Sequence, residues 1–156
     1  MSSRVPFGEL RSAFFRRFLF AFQGLGLLST LLLLLFLQPG APCVYYGTEF
    51  GLCGGPEPAC REAFPWDQPW AADLRPTIAG LADLRRNHPE LTRGDLLWEP
   101  IGRDGLLGRT PGGCSVWVNR STTTSIDVQS AGSVLWSCGT CDGQSLEPQS
   151  AAVYLQ

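Results

Sequence analysis

Residues 39–52 read PGAPCVYYGTEFGL, a turn followed by a short run of β-type residues. The Val-Tyr-Tyr run at residues 44–46 stands between a proline and a glycine, which predicts a short buried strand. Up to residue 67 the chain continues with Gly-Gly, Pro-Glu-Pro, an arginine and Pro-Trp-Asp. This turn-rich segment therefore concentrates the aromatic rings, carboxylates and arginine that are typical of a binding loop.

The segment before it, residues 18–37, reads FLFAFQGLGLLSTLLLLLFL. It has about the 20 apolar residues that a bilayer-spanning helix requires, and Arg16 and Arg17 precede it as basic residues precede a signal anchor. No small-residue cleavage site follows it. A helix buried between a sheet and another domain is also apolar on nearly all sides. Composition therefore leaves a membrane span and a buried helix as alternatives.

Beyond residue 70 the pattern changes from helical to β-type. Leucine and isoleucine recur every three to four residues from 74 to 87, with Pro76 in the first turn, which predicts a helix that ends at His88-Pro89. We expect its other face, with Asp83, Arg85 and Arg86, to lie in water. The later β-type runs alternate with turn clusters, as in a small antiparallel sandwich or barrel; they are residues 106–107, 115–119, 125–128, 133–136 and 151–155.

The bulk composition bounds the function. The 156 residues provide for about one domain, or slightly more. A net charge of −2 with 17% charged residues predicts no basic surface for a nucleic-acid backbone, so we expect no nucleic-acid partner. Asn119-Arg120-Ser121 fits a glycosylation sequon, a common chance match that carries no weight without a secretory context.

Six cysteines and a single histidine limit metal and redox chemistry. Only Cys138 and Cys141 have the C-x-x-C spacing, whereas a structural zinc site usually needs a second pair or suitably spaced histidines. A redox motif joins a strand to a helix, but this pair stands in a β-type tail. We expect free thiols and neither a metal nor a cofactor. Whether Cys138 and Cys141 pair with one another stays open.

Residues 39–52 closely resemble the α-amylase family, glycoside hydrolase family 13, in particular its neopullulanases, cyclomaltodextrinases and related maltodextrin-degrading amylases. In that family an apolar helix ends in a Pro-Gly-x-Pro turn, and the next strand reads Tyr-Tyr-Gly-Asp-Glu-x-Gly. A Gly-Gly-x-Asp-Pro-x-Cys-Arg loop and a Pro-Trp-Asp segment then follow. The same order occurs here, and further motifs match in sequence; the matching stretches are residues 54–61, 64–67, 78–90, 105–109 and 116–121.

The resemblance, which covers residues 27–156, implies a TIM barrel followed by an antiparallel β-sandwich. A complete barrel needs about 250 residues, and far fewer precede the β part here. We therefore expect an α/β plus all-β fold that holds only the last helix-strand-helix portion of a (β/α)8 barrel and the C-terminal sandwich. The expected divisions are an unmatched N-terminal segment, the barrel portion and the sandwich, at residues 1–17, 18–93 and 94–156.

In this arrangement residues 18–37 form the helix outside the penultimate barrel strand, and residues 44–46 form the eighth strand. We therefore expect a cytoplasmic protein, with membrane attachment through residues 18–37 as the weaker alternative.

The resemblance also implies which chemistry is missing. Hydrolysis of a glycosidic bond needs two carboxyl groups, about 5 Å apart in a retaining enzyme. The family's nucleophile aspartate, acid/base glutamate and Asn-His-Asp motif belong to segments that this sequence does not contain, and His88 stands in Asn-His-Pro instead. We expect no catalytic residue here, and a C-terminal portion of an α-glucan hydrolase that is inactive by itself.

Three residues are candidates for contacts to an α-glucan or maltooligosaccharide. The family's Asp-Pro-x-x-Arg element contributes to sugar binding; Arg61 matches its arginine, and Glu57 replaces its aspartate. Trp66 has an apolar face that could stack on a sugar ring. Tyr45 and Tyr46 have such faces too, and the alternative for both tyrosines is that they pack in the core. The alternative functions are a non-catalytic carbohydrate-binding or interaction module and a small membrane-anchored protein. A complementary N-terminal polypeptide is a further expected partner.

Overall fold

The computed structural model describes residues 5–6, 25–52, 56–61, 63–67, 74–130 and 132–156. Within these ranges the chain has two α-helices, α1 (Leu25–Phe36) and α2 (Arg75–Asn87). Single 3-10 turns span Thr48–Phe50, Ala59–Arg61 and Pro89–Leu91. The strands are β1 (Val5–Pro6), β2 (Leu97–Ile101), β3 (Gly105–Arg109), β4 (Cys114–Asn119), β5 (Ile126–Asp127), β6 (Ser133–Cys138), β7 (Ser145–Leu146) and β8 (Ser150–Leu155).

Six strands form one antiparallel sheet in the order β1-β2-β3-β4-β8-β6, and β5 pairs with β7 in a second sheet. Each of the five predicted β-type runs contributes to a strand, which confirms that part of the prediction. Strand β2 was not predicted because Pro100 interrupts its pattern. Among the described residues, β1 pairs with Leu97 and Trp98, so Pro100 lies beyond the described pairing, as suits a residue without a backbone N–H.

The two faces of the six-stranded sheet bury different partners. Successive side chains of a strand point to opposite faces. On β4, Val116 and Val118 accordingly belong to the cluster that includes both helices, whereas Trp117 belongs to the cluster with Val128 and Leu146. The sheet therefore lies between the helix pair on one side and the small β5–β7 sheet on the other.

Helix α1 is a buried helix in the part that the structure describes. Leu27 and Leu33 within the helix, and Leu37 directly after it, are at most 3% exposed. Gly26 allows close packing, since a Cβ there would lie 2.7 Å from the Gln149 carbonyl oxygen. No helix within the described ranges is long and apolar enough to cross a membrane. Residues 18–24 of the apolar run lie outside those ranges.

The prediction of a buried strand at residues 44–46 is wrong. This segment is irregular and runs into a turn, and Tyr45 and Tyr46 are 59% and 40% exposed. The Tyr45 carbonyl accepts a hydrogen bond from the Thr48 N–H at 3.2 Å, which closes the chain on itself. A barrel strand needs hydrogen-bonded neighbours, and no described strand pairs with this segment. The described residues therefore do not confirm a partial barrel.

Helix α2 confirms the predicted helix, with Pro76 in its first turn and its last residue just before His88. The prediction that Arg85 lies in water with the rest of this face is wrong. Asp83 and Arg86 are exposed and form an ion pair at 2.6 Å, but Arg85 is half-buried and donates to backbone carbonyls at the end of α1. The packing of α2 against α1, which the helical period alone does not reveal, accounts for this difference.

Candidate functional site

Two glycines shape the turn that carries the tyrosines and Glu49. Gly47 and Gly51 have φ angles of 84° and 69°, in the left-handed region where glycine is favoured. Gly47 is buried beneath Leu52, and a Cβ at Gly47 would lie 2.6 Å from a methyl carbon of that leucine. The short 3-10 turn Thr48–Phe50 therefore depends on the glycine at each end.

Helix α2 holds this turn from its N-terminal end. The Leu74 N–H donates to the Glu49 carbonyl at 2.8 Å. The next residue, Arg75, places its guanidinium 5.3 Å from the centre of the Phe50 ring, within the range of a cation–π contact. The turn is thus joined to the helix through both backbone and side chain.

Three aromatic side chains follow one another outward from this turn. The Phe50 and Phe64 rings meet edge to face with centroids 5.3 Å apart, and Phe64 and Trp66 are tilted at 4.6 Å. Trp66 is 80% exposed. A large exposed indole supported by half-buried phenylalanine rings offers a flat apolar face with a polar N–H at its edge. We call Phe50, Phe64 and Trp66 the aromatic row.

Glu57 and Arg61 contact each other on the surface. The guanidinium of Arg61 donates to the Glu57 carboxylate, and both side chains are largely exposed. The pair is held by a one-turn helix in which the Arg61 N–H donates to the Pro58 carbonyl at 3.0 Å. Because an exposed ion pair contributes little stability, it leaves both groups able to exchange partners.

The structure thus joins two of the three predicted binding residues. Glu57 and Arg61 form one ion pair, and the Trp66 ring contacts the Phe64 ring. The roles of these residues in sugar binding stay predictions.

The comparisons with known proteins agree with the motifs. Cyclomaltodextrinase from Geobacillus thermopakistaniensis (strain MAS1) is 40% identical over 58 residues, which are 36% of this chain and 10% of that protein. Intracellular maltogenic amylase from Bacillus subtilis (strain 168) is 40% identical over 70 residues, 44% of this chain and 12% of that protein. No family model matches the chain.

A solved structure extends the match. Cyclic α-maltosyl-(1→6)-maltose hydrolase from Arthrobacter globiformis, in complex with maltose, has a TM-score of 0.63 and 29% identity, over 83% of this chain and 30% of that one. The resemblance to the α-amylase family is confirmed. The chain spans about a tenth of the length of the curated relatives above and under a third of this structure.

The sequence did not indicate several residues of this candidate surface. Phe50 and Phe64 complete the aromatic row, and Leu74 and Arg75 hold its first member. Their contacts join residues far apart in the chain, and no local period or spacing indicates them.

Cys138 and Cys141 are free thiols on opposite sides of the large sheet. The Cys138 sulfur lies 3.6 Å from the Thr30 hydroxyl of α1, and the Cys141 sulfur lies 3.1 Å from the Tyr154 hydroxyl on the other side. Burial raises the pKa of the Cys138 thiol; burial and the Cys141 contact raise the pKa of Tyr154. Within the described ranges, no three His, Cys, Asp or Glu residues are grouped to hold a metal ion.

Proposed function

We propose that this chain is the C-terminal part of an α-amylase-family glycoside hydrolase that acts on α-glucans such as maltodextrins. The similarity to a cyclomaltodextrinase and a maltogenic amylase carries the proposal. A solved neighbour described as a maltose complex supports an α-linked glucose oligosaccharide as the ligand. The proposal includes the division into a barrel portion, residues 18–93, and a β-sandwich, residues 94–156, after the unmatched residues 1–17.

In that function, the role of this chain is to bind the saccharide. Arg61 carries five N–H donors that can bind sugar hydroxyls, and Glu57 accepts from Arg61 and from hydroxyls. The exposed face of Trp66 can stack on the apolar face of a glucose ring. Glu57 is largely exposed and pairs with Arg61, whereas the general acid of a glycosidase usually lies against apolar surroundings. We therefore assign binding, and not cleavage, to these residues.

Calorimetric titration of the purified chain with maltoheptaose tests the binding role. We expect measurable binding, weakened about fivefold or more by Arg61→Ala and by Trp66→Ala, since each removes a contact of about 1 kcal/mol. Arg86→Ala is the matched control because Arg86 is also an exposed arginine paired with a carboxylate. Absence of binding heat at millimolar maltoheptaose would refute the proposed role.

The inactivity of the chain by itself is tested separately. Reducing-end release from maltodextrin should stay at the buffer rate, because the paired carboxyl groups of a glycosidase are not among the family motifs that this sequence matches. Release above that rate that purifies with the chain would show that other carboxylates cleave the bond.

A complementary N-terminal polypeptide is the partner that we propose. Leu28, Leu31 and Leu35 are half-buried along one side of α1, and Tyr45 and Tyr46 are exposed nearby in the chain. Such apolar surface is typical of a protein interface. Co-expression with a cyclomaltodextrinase from which the matched region has been deleted should give co-purification and maltodextrin hydrolysis. Separate elution of the two polypeptides would exclude this partner.

We further propose a cytoplasmic location, because one curated relative is named an intracellular maltogenic amylase. Cell fractionation should then recover the protein with the cytosolic markers, and recovery with membranes would contradict the proposal.

A further inference from the structure

Helix α1 reaches its C-terminus without a charge of its own. Its last turn contains no basic residue, although the final carbonyls of a helix lack partners within it and carry partial negative charge. The side-chain amide of Gln38 donates to the Leu34 carbonyl at 2.8 Å. The carbonyls of Phe36, Gln38 and Gly40 all accept from a residue of the other helix.

That residue is Arg85 on α2. One terminal nitrogen donates to the carbonyls of Phe36 and Gln38, the latter at 2.8 Å, and the other donates to the carbonyl of Gly40. A planar guanidinium can hold several carbonyls at once in fixed directions. The single ammonium of a lysine cannot reproduce this arrangement, even though it keeps the charge.

The chain held by Arg85 leads directly into the candidate surface. From Gly40 it runs through Tyr45 to the turn at Thr48–Phe50, where the Leu74 N–H binds the Glu49 carbonyl. Residues 40–49 are therefore fastened to α2 at their beginning, by Arg85, and at their end, by Leu74. Phe50 follows at once and is the first member of the aromatic row that ends at Trp66.

We infer that Arg85 is a positioning residue for the saccharide-binding surface: by holding the entry to residues 40–49, it sets the place of Phe50 and, through Phe64, of Trp66. The inference rests on the proposed function for the nature of the ligand. The contacts that carry it do not depend on that ligand.

The test compares Arg85→Lys and Arg85→Ala with the control Arg86→Ala; the Arg86 guanidinium is exposed and pairs with the exposed Asp83 carboxylate. Maltoheptaose binding is measured where circular dichroism shows every variant to be folded. We expect both Arg85 variants to bind about fivefold more weakly or worse, and Arg86→Ala to bind as the wild type does. In a protein that already carries Trp66→Ala, Arg85→Lys should weaken maltoheptaose binding much less, because Arg85 acts on the ligand through the position of Trp66.

Amide hydrogen exchange supplies a readout that does not need the ligand. In Arg85→Lys, the amides of Thr48, Phe50 and Leu52 should exchange several-fold faster, whereas those of the β4–β8 ladder keep the wild-type rate. If the wild type binds no maltoheptaose but exchange accelerates in this way, the proposed function fails and the positioning of the segment stands.

Three outcomes overturn the inference. The first is unchanged exchange at the three turn amides. The second is accelerated exchange there with unchanged affinity in a wild type that binds. The third is equal acceleration in the β4–β8 ladder, which would give Arg85 a merely structural role.

Discussion

Replacing Asn119 with alanine should destabilise the contact between the two β-sheets more than replacing a surface residue does. Asn119 is completely buried at the end of β4. Its side-chain amide nitrogen donates to the carbonyls of Thr124, Leu146 and Glu147 at 2.8, 2.9 and 3.1 Å, and its oxygen accepts from the Ser121 N–H at 3.0 Å. One side chain thus joins the large sheet, the loop after β4 and strand β7.

The expected loss follows from these bonds. With two N–H hydrogens and one oxygen, Asn119 makes about three hydrogen bonds, each worth about 1 kcal/mol net, and its removal leaves buried partners without a bond. We expect Asn119→Ala to lower the free energy of unfolding by about 3–5 kcal/mol, a large fraction of the 5–15 kcal/mol typical of a domain. At an m-value of about 2 kcal/mol/M, the urea midpoint should fall by about 2 M.

The assay is urea unfolding of the purified chain followed by tryptophan fluorescence, since Trp117 is buried on the same side of the sheet as Leu146. Asn87→Ala is the matched control: Asn87 is exposed at the end of α2, where alanine is a better helix former, so the midpoint should stay within about 0.3 M. Asn119→Asp should cost at least as much as Asn119→Ala, because a carboxylate oxygen would face the backbone carbonyls. A midpoint for Asn119→Ala as close to wild type as that of the control would refute the reasoning.

Three other predictions concern packing, pH and thiol reactivity. Gly26→Ala should lower the free energy of unfolding by about 1–3 kcal/mol in the same urea assay, because its Cβ would crowd a backbone carbonyl; an unchanged midpoint would contradict this. Hydrogen bonds from its own backbone N–H and from the His88 side chain lower the pKa of Glu90. Ionised Glu90 therefore stabilises the fold at a pH above the usual carboxyl pKa of 4.5, and this stabilisation is lost as the pH falls through the lowered pKa. Glu90→Gln should therefore be less stable than wild type at pH 7, and the difference in the free energy of unfolding should shrink as the pH falls through the lowered pKa; a difference independent of pH would exclude this role. In single-cysteine variants at pH 8, a disulfide reagent should modify half-buried Cys138 at least about tenfold more slowly than exposed Cys43, because partial burial raises the pKa of the Cys138 thiol; equal rates would disprove it.

The predictions from the sequence held where the signal was local. The period of leucines and Pro76 predicted α2, and alternation between turn clusters predicted five strands. The prediction of a strand at residues 44–46 was wrong, because a short apolar run becomes a strand only when another strand is available to pair with it. In the candidate site, the resemblance selected Arg61 and Trp66, but it did not reveal that Phe50 and Phe64 lead to Trp66.

By itself the sequence determined some of the elements and the family resemblance: the helix of residues 75–87, five β-type runs and the order of the amylase-like motifs follow from periods, turn residues and spacing within short segments. Only the tertiary structure decided what Arg85, Asn119 and Cys138 contact. Arg85 was predicted to face solvent, and Asn119 stood in a β-type run and in a sequon match that carried no weight. In the structure Arg85 holds the end of another helix, and Asn119 is buried between the sheets. The physical reason is that burial and hydrogen-bond partners depend on which distant segments pack together, and a local pattern does not contain that information.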